Sequence, residues 1–523
     1  ATVSDIDVGT TSTPSGTVTF GSSSSGSFSS TTCTLGASGT CSVTYTPGVV
    51  GEHVITASYG GDDTHAASSG MTSVTATPRT TMTIVTCAPT SVPVNSPTTC
   101  TATVTDTATG STSTPTGMVL FASSGAGTFS GNPCTLSGSG ASSSCSVTYT
   151  PTVVGTGAHL ISADYSGDLK HAPSSGSTSV TVTKRSTSTT VSCVPSSFAA
   201  GGSTTCTATV RDTDIGTKIT PTGTVTFGTS DTGTFVPPAC DLIPTTTLGV
   251  ASCFAEYGST HAATQTITAT YGGDISHFGS SGTTTVTVTS GSPFLLTLMP
   301  PTETRTVNTQ GCVTATVTDA FSNPTPGIKV VFTVTGVNHA GGTGTTNAAG
   351  QATFCYIGRL FGPDDIRAFA DTNANGFEDA GEPPGTATKV WLLPVSSPLC
   401  VVDFATYGGH ITADNGDRAN FGGNAQTSAL LQASGQEEYQ DQGPVRPMTV
   451  HSINVLAMVC SITTFGAAQI FGEATIDGAG KYAYVIDVED HGEPGSTDTY
   501  WIILSNGYNS GRHTLDGGNV QIH

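Results

Sequence analysis

Apolar residues fall at every second position through much of this chain. "TVTF", "CSVTYTP", "HVITASYGG" and "TSVTVT" alternate Val, Ile, Phe or Tyr with Thr and Ser. A period of two is that of a strand with one buried face. Thr serves the exposed face well without adding charge. The runs are short and Gly/Pro turns separate them, so the pattern predicts an all-β chain. The same alternation argues against the disordered linker that 64 glycines and abundant Ser and Thr would otherwise suggest.

The pattern repeats. The phrase Thr/Ser-Gly-x-Val-x-Phe places its Phe at Phe20, Phe121 and Phe227. "CSVTYTPGVVGEHVITASYGGDDTHAASSG" (41–70) returns at 145–176, and more loosely at 253–282. Each unit closes on an alternating strand: "TSVTATP", "TSVTVTK", "TTVTVTS". About seven short strands per hundred residues predict a β-sandwich for each unit.

Residues 1–290 resemble the group 3 immunoglobulin-like repeats found in tandem on large bacterial surface proteins. The string "TGTVTF … C…C-V-x-Y-TP … ITA-x-Y-x-GD-xx-H-xx-S" carries the likeness. "VTATVTDAFSNPTPGIKVVFTVTG" with "GTTNAAGQATFCYIG" resembles the invasin and intimin type of immunoglobulin-like domain. The end, "DHGEPGSTDTYWIILSNGYNSGRHTLDGGNVQIH", is similar to a post-COAP domain, a small β module at the C-termini of bacterial extracellular proteins. The expected organisation is tandem immunoglobulin-like sandwiches, beads on a string. Units 79–184, 185–290 and 291–395 follow a unit 1–78 without its first strand, and a β domain at 396–523 ends the chain.

Fourteen cysteines divide 2 + 4 + 4 + 2 + 2 over these units. Even counts predict intradomain disulfides in an oxidising compartment, and hence an extracellular or cell-surface location. The first unit holds only Cys33 and Cys41. If they pair, so do Cys134 with Cys145 and Cys240 with Cys253. Cys87–Cys100 and Cys193–Cys206 are left in the lead-in strands, and Cys312–Cys355 and Cys400–Cys460 in the last two units.

Charge narrows the partners. Lys and Arg total 15 against 36 Asp and Glu, a net charge of −21. Nucleic-acid binding needs basic patches and is set aside. No apolar run approaches the roughly 18 residues of a membrane span, so no membrane insertion is expected.

The strongest chemical motif is "DTNANGFEDAGE", 371–382. It fits a calcium loop in full. Asp371, Asn373, Asn375, Asp379 and Glu382 offer hard oxygen ligands, Phe377 its carbonyl, and Gly376 the turn. One calcium ion is the expected cofactor. "GDDTH", "GDLKH" and "GDISH" place Asp62, Asp168 and Asp274 beside His65, His171 and His277. Identical placement in three units reads as turn capping rather than acid–base chemistry. In the last unit Asp487, Glu489, Asp490, His491, Glu493 and Asp498 surround a "GEPG" turn, where Asp490 and Glu493 are expected to hold the turn together or to bind a second weak cation. Tyr482, Tyr484, Tyr500 and Trp501 are expected in the core. No nucleophile elbow, HExxH or phosphate loop is present, so no enzymatic activity is expected.

Two functions follow from these readings. One is an extracellular structural protein, a rod- or filament-forming subunit whose partners are other copies of itself. The alternative is a modular adhesin whose stalk presents the C-terminal domain to a cell-surface or glycan partner. Ala1 aligns with Ala102 and Ala208. The first unit is therefore expected to lack its lead-in strand, which either lies upstream in a longer protein or is donated by another copy. "NVQIH" is one candidate donor.

Overall fold

The computed structural model describes residues 1–395, 404–461 and 466–523. Their regular structure is strand throughout, apart from one short 3-10 turn at Gly495–Thr497.

The second repeat shows the plan. One sheet runs Gly127–Ser130, Ser142–Pro151, Thr98–Asp106, Thr81–Ala88. The facing sheet runs Cys134–Thr135, Met118–Ser123, Ala158–Tyr165, Ser174–Thr183, Ser91–Pro93, the last pair parallel. The lead-in therefore visits both sheets: Thr81–Ala88 joins one, Ser91–Pro93 the other, and Thr98–Asp106 returns. This is the immunoglobulin arrangement. Alternation decides which residues enter the core: Val104, Val119, Phe121, Tyr149, Ile161, Tyr165 and Val180 face inward between the sheets. The glycine before each Val-x-Phe strand, Gly16, Gly117 and Gly223, has φ of 93°, 98° and 91°, a turn that a side chain would strain.

The third repeat copies this plan. In the fourth section, Leu295–Met299, Gln310–Thr318 and Gln351–Ile357 face a five-stranded sheet. The first repeat keeps one four-stranded sheet (Thr32–Thr34, Thr17–Ser22, Gly51–Tyr59, Ser68–Ala76), and opposite it only the pair Gly26–Phe28 and Tyr45–Pro47. Thr2 bridges Thr40, the register that Thr103 keeps with Ser144.

The C-terminal section is one nine-stranded antiparallel sheet, Phe404–Thr412 through Thr499–Leu504 and His513–Thr514. It curls around a core of Tyr407, Phe421, Tyr439, Tyr484, Ile486 and Tyr500. Its last strand, Gly517–Ile522, pairs with Phe404–Thr412. The candidate donor "NVQIH" is thus held within its own sheet.

Six disulfides staple the sandwiches: Cys33–Cys41, Cys87–Cys100, Cys134–Cys145, Cys193–Cys206, Cys240–Cys253 and Cys312–Cys355. Cys87–Cys100, Cys193–Cys206 and Cys312–Cys355 each link residues directly opposite on neighbouring strands. The expected pair Cys400–Cys460 includes a residue outside the described ones.

The units are joined by polar locks. Arg185, between the second and third repeats, is fully buried. Its Nε donates to Asp212 at 2.6 Å in its own repeat. Nη1 donates to the Val94 carbonyl (2.7 Å) and Ser96 Oγ (3.3 Å) of the preceding repeat. Nη2 donates to the Asp214 and Ile215 carbonyls. All five guanidinium N–H groups are met. Asn323 locks the next joint, accepting from Ala262 N and donating to the Thr260 carbonyl. The fourth and fifth sections share a core in which Ala457, Phe471 and Val485 of the curled sheet pack with Leu360 and Trp391.

Removing the Arg185 guanidinium strips buried Asp212 of its closest cation and leaves it Lys218 at 3.9 Å and the Ile219 and Asp214 amides. Arg185→Ala is expected to destabilise the third repeat by about 3–5 kcal/mol. The matching Arg79 bonds Asp106 with a side chain 23% exposed, and Arg79→Ala is expected to cost less. Denaturant unfolding of the full chain distinguishes the two; equal losses would contradict this ranking of the joints.

Candidate functional site

The motif at 371–382 closes the hairpin between Gly362–Asp371 and Pro384–Leu392. Asp371 is buried at the end of its strand, 2% exposed. One carboxylate oxygen accepts from Lys329 Nζ at 2.7 Å and from Gly376 N at 2.9 Å. The ammonium beside it, together with these bonds, holds the Asp371 carboxyl below its usual range. Its second oxygen, Oδ1, is buried without a partner. Glu382 also turns inward; its oxygens accept from Thr372 N, Thr372 Oγ1 and Asp379 N. The Asn373 and Asn375 carboxamides both donate to Asp379 Oδ2, at 2.7 and 2.6 Å. Asn373 Oδ1 and Asn375 Oδ1 accept from the amides two residues on, which folds the loop. Gly376 at φ 83° makes the sharp turn. The loop thus gathers the expected oxygen-bearing residues, while hydrogen bonds among themselves and to the backbone occupy them. Among the described residues no three His, Cys, Asp or Glu side chains stand close enough to hold a metal. The orphaned Asp371 Oδ1, at the first position of an all-oxygen donor set, is the observation that fits a hard cation.

The Asp–His turns serve the joints. Asp274 accepts from His277 N, Ser276 N and Thr222 N, and from the His277 ring at 2.9 Å. Burial raises the Asp274 pKa, but these donors outweigh it and hold it near about 2. The His277 ring is buried 4.0 Å from Asp212, under the Arg185 lock. Asp168 and His171 repeat the arrangement beside Arg79.

The acidic cluster of the last section pins its turn and terminal strand. Asp498 accepts from His491 N and Val520 N, Asp490 from Gly492 N and Ile522 N, and Glu493 from Asn519 and Gln521. Asp487 pairs with Arg512 at 2.7 Å, and Glu489 with the same guanidinium. Tyr484 and Tyr500 are fully buried, as expected. Trp501 departs from expectation. Neighbours on a strand face opposite ways, so with Tyr500 inside, Trp501 lies outside. There it stacks under Arg359 of the fourth section, 4.9 Å from its ring centre, and against Arg512. Tyr482 is only partly buried.

The pattern also conceals a buried acid. Glu437 sits inside the curled sheet, 3% exposed, accepting from Tyr500 OH at 2.7 Å. Its other oxygen and the Tyr407 hydroxyl face each other across Gly423 and meet no further polar group. A Cβ on Gly423 would come within 2.4 Å of that oxygen and 2.6 Å of that hydroxyl, so only glycine fits there. Burial pushes the Glu437 carboxyl up to about 8. On the outer surface, a groove of about 480 Å³ runs over Gly422, Asn424, Gly435, Gln436 and His451.

Residues 85–183 match the family model described as a bacterial Ig-like domain (group 3). Among solved structures the chain is similar to FdeC, an Escherichia coli adhesin, at 18% identity over 59% of this chain and 96% of that one, with a TM-score of 0.25. It is similar to invasin, a bacterial integrin-binding protein, at 13% identity over 76% and 78%, with a TM-score of 0.28. It is also similar to a tetra-tandem repeat from the extending region of a large adhesion protein, at 15% identity over 73% and 94%, with a TM-score of 0.31. No curated protein matches the chain.

The raised pKa of Glu437 sets a sign. The unfolded chain releases this proton near 4.5 and the folded chain near 8. Its contribution is therefore fully present below pH about 4.5 and is lost as pH rises through about 8. Glu437→Gln is expected to remove this slope and to stabilise the chain at pH 9 by roughly 3–5 kcal/mol relative to its effect at pH 4. Paired unfolding curves at the two pH values test it; a pH-independent difference between variant and parent would refute a buried neutral acid.

Proposed function

We propose that the chain is a non-catalytic extracellular stalk of a cell surface, a rod of immunoglobulin-like modules held in fixed relation to one another. The observation that carries this reading is the Arg185 joint, where one buried guanidinium is shared by two repeats. Six disulfides belong to an oxidising compartment and suit thin sandwiches under load. Filament assembly by copies of the chain is the finer form of the proposal. Electron microscopy of purified protein is expected to show straight rods or filaments. Small-angle scattering of Arg185→Ala is expected to show added flexibility; a parent chain that scatters as freely jointed beads would defeat the reading.

A second reading, adhesion to a cell-surface or glycan partner, draws support from the open groove beside Gly422 and Gly435. Exposed backbone and polar side chains there suit hydroxyl-rich ligands. Binding to arrayed glycans that Asn424→Trp abolishes would favour it.

Calcium completes the stalk proposal. Asp371, Asn373, Asn375, Asp379, Glu382 and the Phe377 carbonyl would hold the ion, which would stiffen the hairpin beneath the shared core of the last two sections. Modules of this class bind with dissociation constants on the order of 10⁻⁴–10⁻³ M, so calcium at about 10 mM is expected to add roughly 1.5–2.5 kcal/mol to stability. Glu382→Gln is expected to abolish that gain. Identical melting with calcium and with chelator, and no binding heat by calorimetry, would rule the site out.

A further inference from the structure

Beside their shared core, the fourth and fifth sections leave a cleft of about 430 Å³ between them. Val337, His339, Ile357 and Arg359 line it from the fourth section, Trp501 and Asn509 from the fifth. That is the size of a small-molecule pocket.

The chemistry of the cleft runs against the rest of the chain. The protein carries 36 Asp and Glu against 15 Lys and Arg, yet among the described residues none that lines the cleft is acidic. The carboxyls on neighbouring strands are engaged elsewhere. Asp364 accepts from Asn338, Tyr356 and Trp391, while Asp487 and Glu489 pair with Arg512.

What the cleft offers is donors. Arg359 is exposed, and its guanidinium lies over the Trp501 ring. Among the described residues no carboxylate or carbonyl accepts from that guanidinium. Asn509 Oδ1 accepts from Trp501 Nε1 and from Gly511 N, which leaves Nδ2 open. The His339 ring is exposed, without a hydrogen-bond partner among the described residues.

These donors are held in place without a ligand. Buried Asn338 accepts from Arg359 N at 2.8 Å and Leu360 N at 2.9 Å, and donates to Asp364. The backbone beneath Arg359 is thus fixed from inside the fourth section, and its guanidinium from the fifth. A guanidinium lying on an aromatic face keeps its edge N–H groups free, and that edge matches a carboxylate through two parallel hydrogen bonds. Prior ordering of this kind raises affinity. Val337 and Ile357, the latter 48% exposed, add apolar contact beside the donors.

We propose that this cleft binds a carboxylated sugar. The carboxylate sits on the Arg359 fork, ring hydroxyls meet Asn509 Nδ2 and His339, and the C–H face of the ring rests on Val337 and Ile357. A peptide carboxylate would also bring amide donors, and the cleft is poor in acceptors to meet them; hydroxyls accept as well as donate. The site is apart from the groove beside Gly422 and does not depend on it.

The test titrates the full chain with two fluorescent acidic probes, a trisaccharide ending in N-acetylneuraminic acid and a tetramer of galacturonic acid. Saturable binding of at least one is expected, with a dissociation constant at or below about 1 mM, and which one binds names the source of the acid. The methyl esters of the same probes are expected to bind at least about tenfold more weakly. Arg359→Lys keeps the charge and loses the fork, and is expected to weaken binding by about tenfold or more without lowering the melting temperature. His339→Glu puts a carboxylate at the exposed wall and is expected to abolish binding, whereas Asn424→Trp, in the other groove, is expected to leave it intact. Absence of binding by both probes at about 10 mM overturns the proposal. So does equal binding of acid and ester, undiminished binding by Arg359→Lys, or preference for an acetylated tetraglutamate peptide over both sugars.

Discussion

One guanidinium ties the architecture together. Arg185 satisfies Asp212 in its own repeat and reaches back for two oxygens that the previous repeat displays on its lead-in turn. Burying a charge is tolerable only when it is paired and every donor is met, so the contact demands a fixed geometry on both sides. The same lead-in also supplies strands to both sheets of its own sandwich. Module stability and joint stiffness therefore rest on one stretch of chain. In the first repeat the buried cluster is Val18, Leu35 and Tyr59, and the arginine at the next joint, Arg79, is partly exposed.

The scarcity of charge makes each buried ionisable group conspicuous. Asp364 is fully buried and is held by neutral donors: Asn338 N and Nδ2, Tyr356 OH and Trp391 Nε1. Burial raises its pKa despite those bonds. Glu437 goes further, with only the Tyr500 and Tyr407 hydroxyls facing its oxygens. Asp212 is the opposite case. Burial pushes its pKa up, but the Arg185 ion pair and the Ile219 and Asp214 amides bring it below the usual value. The last two sections thus bury acids among neutral hydrogen-bond donors to order their interiors, and the repeats use an ion pair to order their boundaries.

Much of this was legible in the residues. Alternation of Val and Thr identified the strands because one face of each is buried, and recurrence of whole phrases fixed the units. The Arg185 joint was visible too, but only as a faint signal. Arg79 and Asp106 recur as Arg185 and Asp212 at the same separation of 27 residues, in a chain with just 15 basic residues. Glu437 gave no such sign: "QEEYQD" reads as an exposed polar strand, and only the curl of the nine-stranded sheet turns Glu437, Tyr439 and Asp441 inward together. Trp501 follows Tyr500 on one strand, so the two take opposite faces, and aromatic content alone does not separate them.

The loop at 371–382 and the joints obey one logic. In each, a carboxylate at the end of a strand meets a cation and a set of backbone amides. Asp212 has Arg185 with the amides of Ile219 and Asp214. Asp371 has Lys329 with the amide of Gly376. The difference is coordination. Asp212 closes against a guanidinium whose planar fork spans two modules, whereas Asp371 meets a single ammonium, 36% exposed, and keeps one oxygen unpartnered. An ammonium is a mobile point charge on a flexible stem. The buried joint is therefore closed by a guanidinium shared between two modules, while the hairpin of the fourth section holds its carboxylate with one partly exposed ammonium.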